Sequence, residues 1–255
     1  MSRRFAFVSP SFVALWLLAL ATAALFTSLG FWQSRRAVEK QEMLDAAARV
    51  LTTRDIHALS AAGDPARADD YDWAVGSGVF DARPALLLDN QQREGRVGVR
   101  VYRIFLPREG GPLLVDLGWL PLPGDRSLPA VPLPRGPLEL RGLLAPPPST
   151  GIALGRGLMR SDEGWLLTRV DMDAIAGETG LPVPLAPRVL RLDPSMPLGY
   201  DRDLELLANT LSPDKHRGYA VQWFGLALTV LATALLLTYR AWRGPKTRRE
   251  ADRYE

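Results

Sequence analysis

The hydrophobic positions of this chain are concentrated in two uninterrupted runs, and polar positions fill the stretch between them. The runs span residues 12–33 and 219–239, and neither contains a charged side chain. As a helix, the second run would measure roughly 31 Å, which is about the hydrocarbon thickness of a bilayer. We therefore predict two transmembrane helices, one on each side of a soluble domain.

After the first run, the apolar positions keep a helical period, and this pattern predicts a helical linker over residues 34–72. Its helix would cover residues 37–62, because apolar residues recur there on one stripe and the Gly-Asp-Pro sequence at 63–65 ends the pattern. Residues 201–218 would form the return linker that leads to the second run.

From Trp73 the period of the apolar positions changes to that of strands, and Gly, Pro, Asn and Asp fill the joins. Short strands of this kind predict an extracytoplasmic β-rich domain over 73–200, of the α+β class, with a mostly antiparallel sheet or a small barrel. One helix over 171–179 would interrupt it, with Thr168 or Asp171 as the N-cap. The predicted strands are residues 75–80, 85–88, 97–105, 113–119, 137–143 and 189–192.

Basic residues at both ends of the chain predict the membrane topology. Arg3 and Arg4 stand in the tail 1–11, and the tail 240–255 is rich in arginine. Because short cytoplasmic segments carry an excess of Lys and Arg, we expect both termini in the cytoplasm and the middle of the chain outside, in a bacterial-type inner membrane. A cleaved signal peptide is the alternative, since residues 19–21 resemble a cleavage site, but the apolar run continues about ten residues further.

The composition removes several classes of site. The chain has no cysteine and only two histidines, His57 and His216, which excludes disulfides and thiolate metal sites and disfavours a multi-histidine centre. The net charge of +3, without a basic patch interleaved with aromatics, gives no support to nucleic-acid binding. We expect no enzyme and no catalytic residue, because the middle of the chain lacks a histidine that could activate a nucleophile. A carboxylate-pair hydrolase stays formally open.

Each apolar run carries polar and aromatic residues at its predicted outer end. Residues 29–36 read Leu-Gly-Phe-Trp-Gln-Ser-Arg-Arg, and residues 216–224 read His-Arg-Gly-Tyr-Ala-Val-Gln-Trp-Phe. The predicted topology places both at a similar depth on the same side. An amide in lipid requires a polar partner, so we expect the two helices to face each other or a ligand at this depth.

These two motifs resemble those of the Surfeit locus protein 1 family, the assembly factors of haem a–copper cytochrome c oxidase. The first family motif, Leu-Gly-x-Trp-Gln-x-x-Arg, is matched within residues 29–36, and the second, His-x-x-Tyr-Ala-x-Gln-Trp-Phe, within residues 216–224. A Gly-Trp-Val-Pro-like strand of the family is matched by residues 118–121. In the family an arginine often precedes the Gly-Trp pair of this strand, and here Leu117 stands at that position instead.

The resemblance implies a factor that assists the insertion of haem a into oxidase subunit I, by holding the haem transiently at the outer ends of the two helices. It implies His216 as the axial ligand of the haem iron, and neutral imidazole is a standard ligand of this kind. Subunit I, haem a synthase and the lipid bilayer are the expected partners. The implied cofactor-binding residues are His216, Arg217, Tyr219, Gln222, Trp223, Phe224, Trp32, Gln33 and Arg36.

The same residues also allow an alternative to haem binding. A histidine at the start of a membrane helix is often an ordinary polar residue of the interface, and tryptophans there often form an interfacial belt. The chain would then be a membrane scaffold that docks oxidase subunits without binding haem.

Overall fold

The computed structural model describes residues 9–148, 157–161, 164–206 and 211–243. The chain divides into two compact units, a helical unit of Met1–Glu42 with Leu211–Glu255 and a β unit of Met43–Thr210. Arg3, Arg4 and the part of the basic tail after residue 243 lie outside the described residues.

The secondary structure follows the predicted order of helix, strands and helix. In chain order, the described elements are α1 (Pro10–Thr53), β1 (Ile56–Ala58), two short 3-10 helices (Leu59–Gly63 and Pro65–Arg67), β2 (Asp72–Phe80), β3 (Leu86–Arg93), β4 (Arg96–Pro107), β5 (Leu113–Pro121), β6 (Leu138–Ala145), β7 (Leu158–Ser161), β8 (Gly164–Leu167), α2 (Met172–Thr179), β9 (Val189–Leu192) and α3 (Pro213–Arg243).

Two helices, α1 and α3, are long and apolar enough to cross a membrane. Only 6% of the most apolar window of α1 and 11% of that of α3 are buried within the protein. The core helix of a soluble protein would bury most of such a window, so these exposed apolar surfaces are consistent with a membrane protein. Helix α3 begins at Pro213, so His216 lies within the helix rather than in the predicted linker.

Helix α1 runs without a break through the predicted anchor and into the predicted linker, but it ends at Thr53, earlier than predicted. Arg54 takes a left-handed conformation, with φ of 50°, that stops the helix. Its guanidinium lies 4.5 Å from the centre of the Trp73 ring, a cation–π contact that offsets part of the strain. Strand β1 follows at once and pairs in parallel with β2, where the sequence predicted more helix.

The nine described strands form one sheet, in the order β1-β2-β6-β9-β5-β4-β3-β8-β7. All six predicted strands are present, but β1, β7 and β8 were not predicted. The sheet is mixed. β1–β2, β3–β8 and β5–β9 are parallel pairs, and the other six pairings of the described strands are antiparallel. An additional antiparallel pairing of β2 with β4 joins β2, β6, β9, β5 and β4 into a closed ring.

Alternation along the strands divides the core of the β unit between two faces of the sheet. On β4, Val101 and Phe105 belong to one buried cluster, and Tyr102 and Ile104 belong to another. Helix α2 covers the second cluster. Its N-cap is Asp171, one of the two predicted candidates, whose carboxylate accepts a hydrogen bond from the Ala174 amide at 3.1 Å.

Candidate functional site

Helices α1 and α3 of the helical unit pack along a regular seam. On α1, buried or contacting residues recur at intervals of three and four, the spacing of a left-handed coiled-coil seam. The α3 side has the same spacing. The seam residues are Ala23, Phe26, Gly30, Gln33 and Ala37 on α1, and His216, Ala220, Trp223 and Ala227 on α3.

Glycine at position 30 allows the aromatic residues to enter this seam. A Cβ atom at Gly30 would lie 2.6 Å from the Phe224 ring, closer than real contacts of this kind. The Phe224 ring also meets the edge of the Phe31 ring, with centroids 5.3 Å apart. One turn earlier on α1, Phe26 packs against Trp223 with centroids 5.4 Å apart. The two signature motifs therefore contact each other through aromatic rings.

The polar centre of the seam is a hydrogen bond between the two motifs. His216 Nδ1 lies 2.6 Å from Gln33 Oε1, and the residues are only 7% and 9% exposed. An amide oxygen can only accept, so Nδ1 donates its hydrogen and Nε2 is left as the unprotonated nitrogen. No hydrogen bond to Nε2 occurs in the described part of the chain.

The charges around His216 favour its neutral form. His216 lies before the apolar run 219–239. Burial is the main cause that lowers the pKa of its imidazole below the ordinary value, and the positive charges of Arg36 and Lys40 lower it further. Two nearby arginines are engaged along their own helices, Arg36 with Glu39 at 2.6 Å and Arg217 with Asp214 at 2.7 Å. A neutral imidazole surrounded by cations can ligate a metal and can sit close to an anionic ligand.

The structure brings together only part of the predicted set. Gln33, His216, Trp223 and Phe224 meet in the seam. Trp32, by contrast, is 46% exposed. Neighbouring residues on a helix point about 100° apart, so Trp32 faces away from the side on which Gln33 is buried. The other predicted residues that lie outside the seam are Tyr219 and Gln222, both exposed, and Arg36 and Arg217 at its edge.

Small residues pack the α3 side of the seam, but at other positions than their spacing suggested. Gly225 and Thr229 are small residues four positions apart on α3, the spacing typical of close helix packing, yet nothing lies within 4 Å of a Cβ built at Gly225. The buried small residues are Ala220 and Ala227. Ala220 lies four residues after His216, and Ala227 lies four residues after Trp223. Counting from His216 in alternating steps of four and three residues would therefore have predicted both positions.

The third signature, Gly118-Trp119, has a structural role within the β unit. Gly118 has φ of 111°, and Trp119 N–H donates to the Asp201 carbonyl at 2.7 Å. A Cβ at Gly118 would lie 2.8 Å and 2.9 Å from the carbonyl oxygens of Asp201 and Tyr200. This strand thus holds the segment that follows the sheet, and Leu117, where the family often has arginine, is buried in the core.

His57 lies in the β unit as well, on strand β1 and not on a linker helix. Its Nε2 is 3.5 Å from the Asp72 carboxylate. Asp72 is also bound by Arg67 and by the fully buried Arg188, each at 2.6 Å. These contacts give His57 a local electrostatic partner.

A family model described as the SURF1 family matches residues 20–228. The match includes the Gly118-Trp119 strand, and it also spans both motifs of the helical seam. None of the curated proteins matches the chain.

Proposed function

Because the chain belongs to the SURF1 family, which is associated with cytochrome oxidase assembly, we propose that it assists the insertion of haem a into subunit I of the oxidase. The family assignment confirms the resemblance inferred from the motifs. The observation that supports this proposal is the buried hydrogen bond between His216 and Gln33, because it joins the two end motifs around one imidazole.

His216 has the chemical form that a haem ligand needs. Its Nδ1 is occupied by Gln33, and a histidine that binds a metal commonly donates its other N–H to an oxygen acceptor in this way. Haem would supply an iron with an open axial position, for which a single protein imidazole is sufficient. Trp223 and Phe224 lie about two turns further along α3 and would offer aromatic surface to the macrocycle.

Cations near His216 fit the carboxylates of haem. Arg36 and Arg217 remain the proposed partners of the propionates, and each would exchange its present helical ion pair for a ligand carboxylate. Lys40 adds a third positive charge that acts on His216, and the motifs did not point to it. It makes no ion pair within the described residues.

The proposed setting is a bacterial-type inner membrane crossed by α1 and α3. Both termini would lie in the cytoplasm, because Arg240 and Arg243 follow the second apolar run and the positive-inside rule applies to such short tails. The β unit and the His216–Gln33 contact would then lie on the outer side. Subunit I and haem a synthase are the proposed partners there.

A second function, a scaffold that docks oxidase subunits without binding haem, is favoured by one observation. His216 is largely buried and already bonded, so its hydrogen bond could serve only to join the two helices. In that case no ligand would need to reach Nε2, and the surface of the helical unit would carry the function.

Difference spectra separate these two functions. The full chain is purified in detergent from cells that make haem a, and reduced-minus-oxidised spectra are recorded for the wild type, His216→Ala and His57→Ala. We expect haem in the wild type and in His57→Ala, and its loss in His216→Ala. A wild-type protein that carries no haem but co-purifies with subunit I would overturn the haem proposal in favour of the scaffold.

A further inference from the structure

We propose that Gln33 is the positioning residue of the His216 site: it holds the imidazole in the tautomer with hydrogen on Nδ1 and thereby presents Nε2 as the ligand atom. This inference deepens the proposed function and, for the role of Nε2, rests on it. It assigns to one residue of the first motif a specific action on one atom of the second.

The geometry leaves Gln33 little freedom to do otherwise. Its side chain is buried in the seam between Gly30 and Ala37, where the two helices approach closely. A buried amide without a polar partner would lose its interaction with water and gain nothing in return, so the bond to His216 is the main compensation that the seam offers. At 2.6 Å it is a short bond between two buried side chains.

No other group in the described chain sets the tautomer of His216. A neutral imidazole can carry its hydrogen on either nitrogen, and the neighbour that accepts or donates decides which. The charged side chains that act on His216, Arg36 and Lys40, lie on α1 and offer only donors. Gln33 is therefore the acceptor, and its loss would leave the two tautomers to compete.

A matched set of three side chains at position 33 isolates this action. Gln33→Leu keeps the approximate size but removes the acceptor, and Gln33→Glu keeps an acceptor oxygen at the same reach. On the other helix, Gln222→Leu removes an exposed amide from the same motif region and serves as the control. Gln222 lies outside the seam, so its replacement should leave the tautomer of His216 unchanged.

The direct test is nitrogen NMR of the ligand-free full chain, labelled with ¹⁵N-histidine and held in lipid nanodiscs at about pH 8, where histidine is normally neutral. Because the chain has only two histidines, His57→Ala assigns the His216 signals. We expect a protonated Nδ1 and a bare Nε2 in the wild type, in Gln222→Leu and in His57→Ala. Gln33→Leu should show a mixture of tautomers, and Gln33→Glu should restore hydrogen on Nδ1.

Two results would overturn the inference. One is hydrogen on Nε2 in the wild type, which would mean that the Gln33 amide is turned to donate to Nδ1. The other is an unchanged His216 spectrum in Gln33→Leu. If Gln33→Leu does not fold, an unprotonated Nδ1 in Gln33→Glu would also overturn the inference, because a carboxylate can only accept a hydrogen bond.

Haem titration of the same proteins separates this inference from the proposed function. Loss of such a supporting hydrogen bond typically weakens metal binding by roughly 10- to 100-fold, and we expect Gln33→Leu to do so and to raise the reduction potential of the bound iron. If the wild type binds no haem, the proposed function fails while the tautomer measurement still decides the role of Gln33. If Gln33→Leu binds haem with unchanged affinity and potential, the positioning role fails while the function stands.

Discussion

The Phe224 ring occupies the space into which a side chain at Gly30 would project, with 2.6 Å between the ring and the position of a Cβ atom. This relationship ties the first signature motif to the second at the level of packing, one turn from the His216–Gln33 bond. It explains why a residue without a side chain stands in the first motif.

Gly30→Ala should therefore loosen the helix pair. Overpacking of a close contact costs roughly 1–3 kcal/mol, which is as large as or larger than the ~1 kcal/mol that alanine gains over glycine in a helix. Unfolding of the full chain in mixed micelles, titrated with a denaturing detergent, measures the difference. Gly225→Ala is the control, because that position opens onto free space and should be neutral or stabilising.

The double variant Gly30→Ala with Phe224→Leu checks the assigned cause. A smaller and more flexible side chain at position 224 should remove part of the clash, so the two changes should be less destabilising together than their sum. Strict additivity would show that Gly30 acts through something other than the Phe224 ring.

In the β unit, Gly118→Ala should be clearly destabilising because two penalties coincide. A left-handed φ of 111° is strained for alanine, and its Cβ would meet the carbonyl oxygens of Asp201 and Tyr200. Gly95→Ala is the matched control, since φ there is 75° but no atom lies within 4 Å. In chemical denaturation we expect the control to lose about 1 kcal/mol of unfolding free energy and Gly118→Ala to lose distinctly more. Equal losses would mean that the contact with Asp201 and Tyr200 contributes nothing.

The β unit should lose stability in acid partly through Asp193. Burial alone would raise the pKa of this carboxyl, but hydrogen bonds from the Ser195 backbone and from Arg141, at 2.9 Å and 2.8 Å, lower it overall. A lowered folded-state pKa adds stability above the unfolded value, and this contribution is lost as pH falls through the folded value. Asp193→Asn should therefore flatten the fall of unfolding free energy below about pH 4. A slope identical to that of the wild type would contradict this assignment.

Reporter fusions test the proposed topology. A fusion at Asp125, in an exposed loop of the β unit, should report the outer side, and a fusion at Glu255 should report the cytoplasm. The purified chain should also retain residues before Thr22. Equal sidedness of the two fusions, or a mature N-terminus near Thr22, would discard the two-helix arrangement.

Much of the fold could be predicted because it depends on local patterns. Two uncharged runs of membrane length predict long helices, and the positions of six strands follow from alternating apolar residues between turn-forming ones. The N-cap of α2 could be predicted too, since Asp171 precedes a helical pattern and its carboxylate can accept a hydrogen bond from a backbone N–H of the first turn. The family motifs similarly contain Gln33 and His216, the two buried residues that form a hydrogen bond between the helices.

What the sequence could not determine depends on contacts between distant residues. The parallel pairing of β1 with β2 and the closure of the ring by β2 and β4 follow from strand pairing across the fold, which no local period encodes. The sequence likewise placed Trp32 and Gln222 beside Gln33 and His216, because they are neighbours in the motifs. Only the packing of α1 on α3 decides which side of each helix is buried, and it joins Gln33 to His216 while leaving Trp32 and Gln222 exposed.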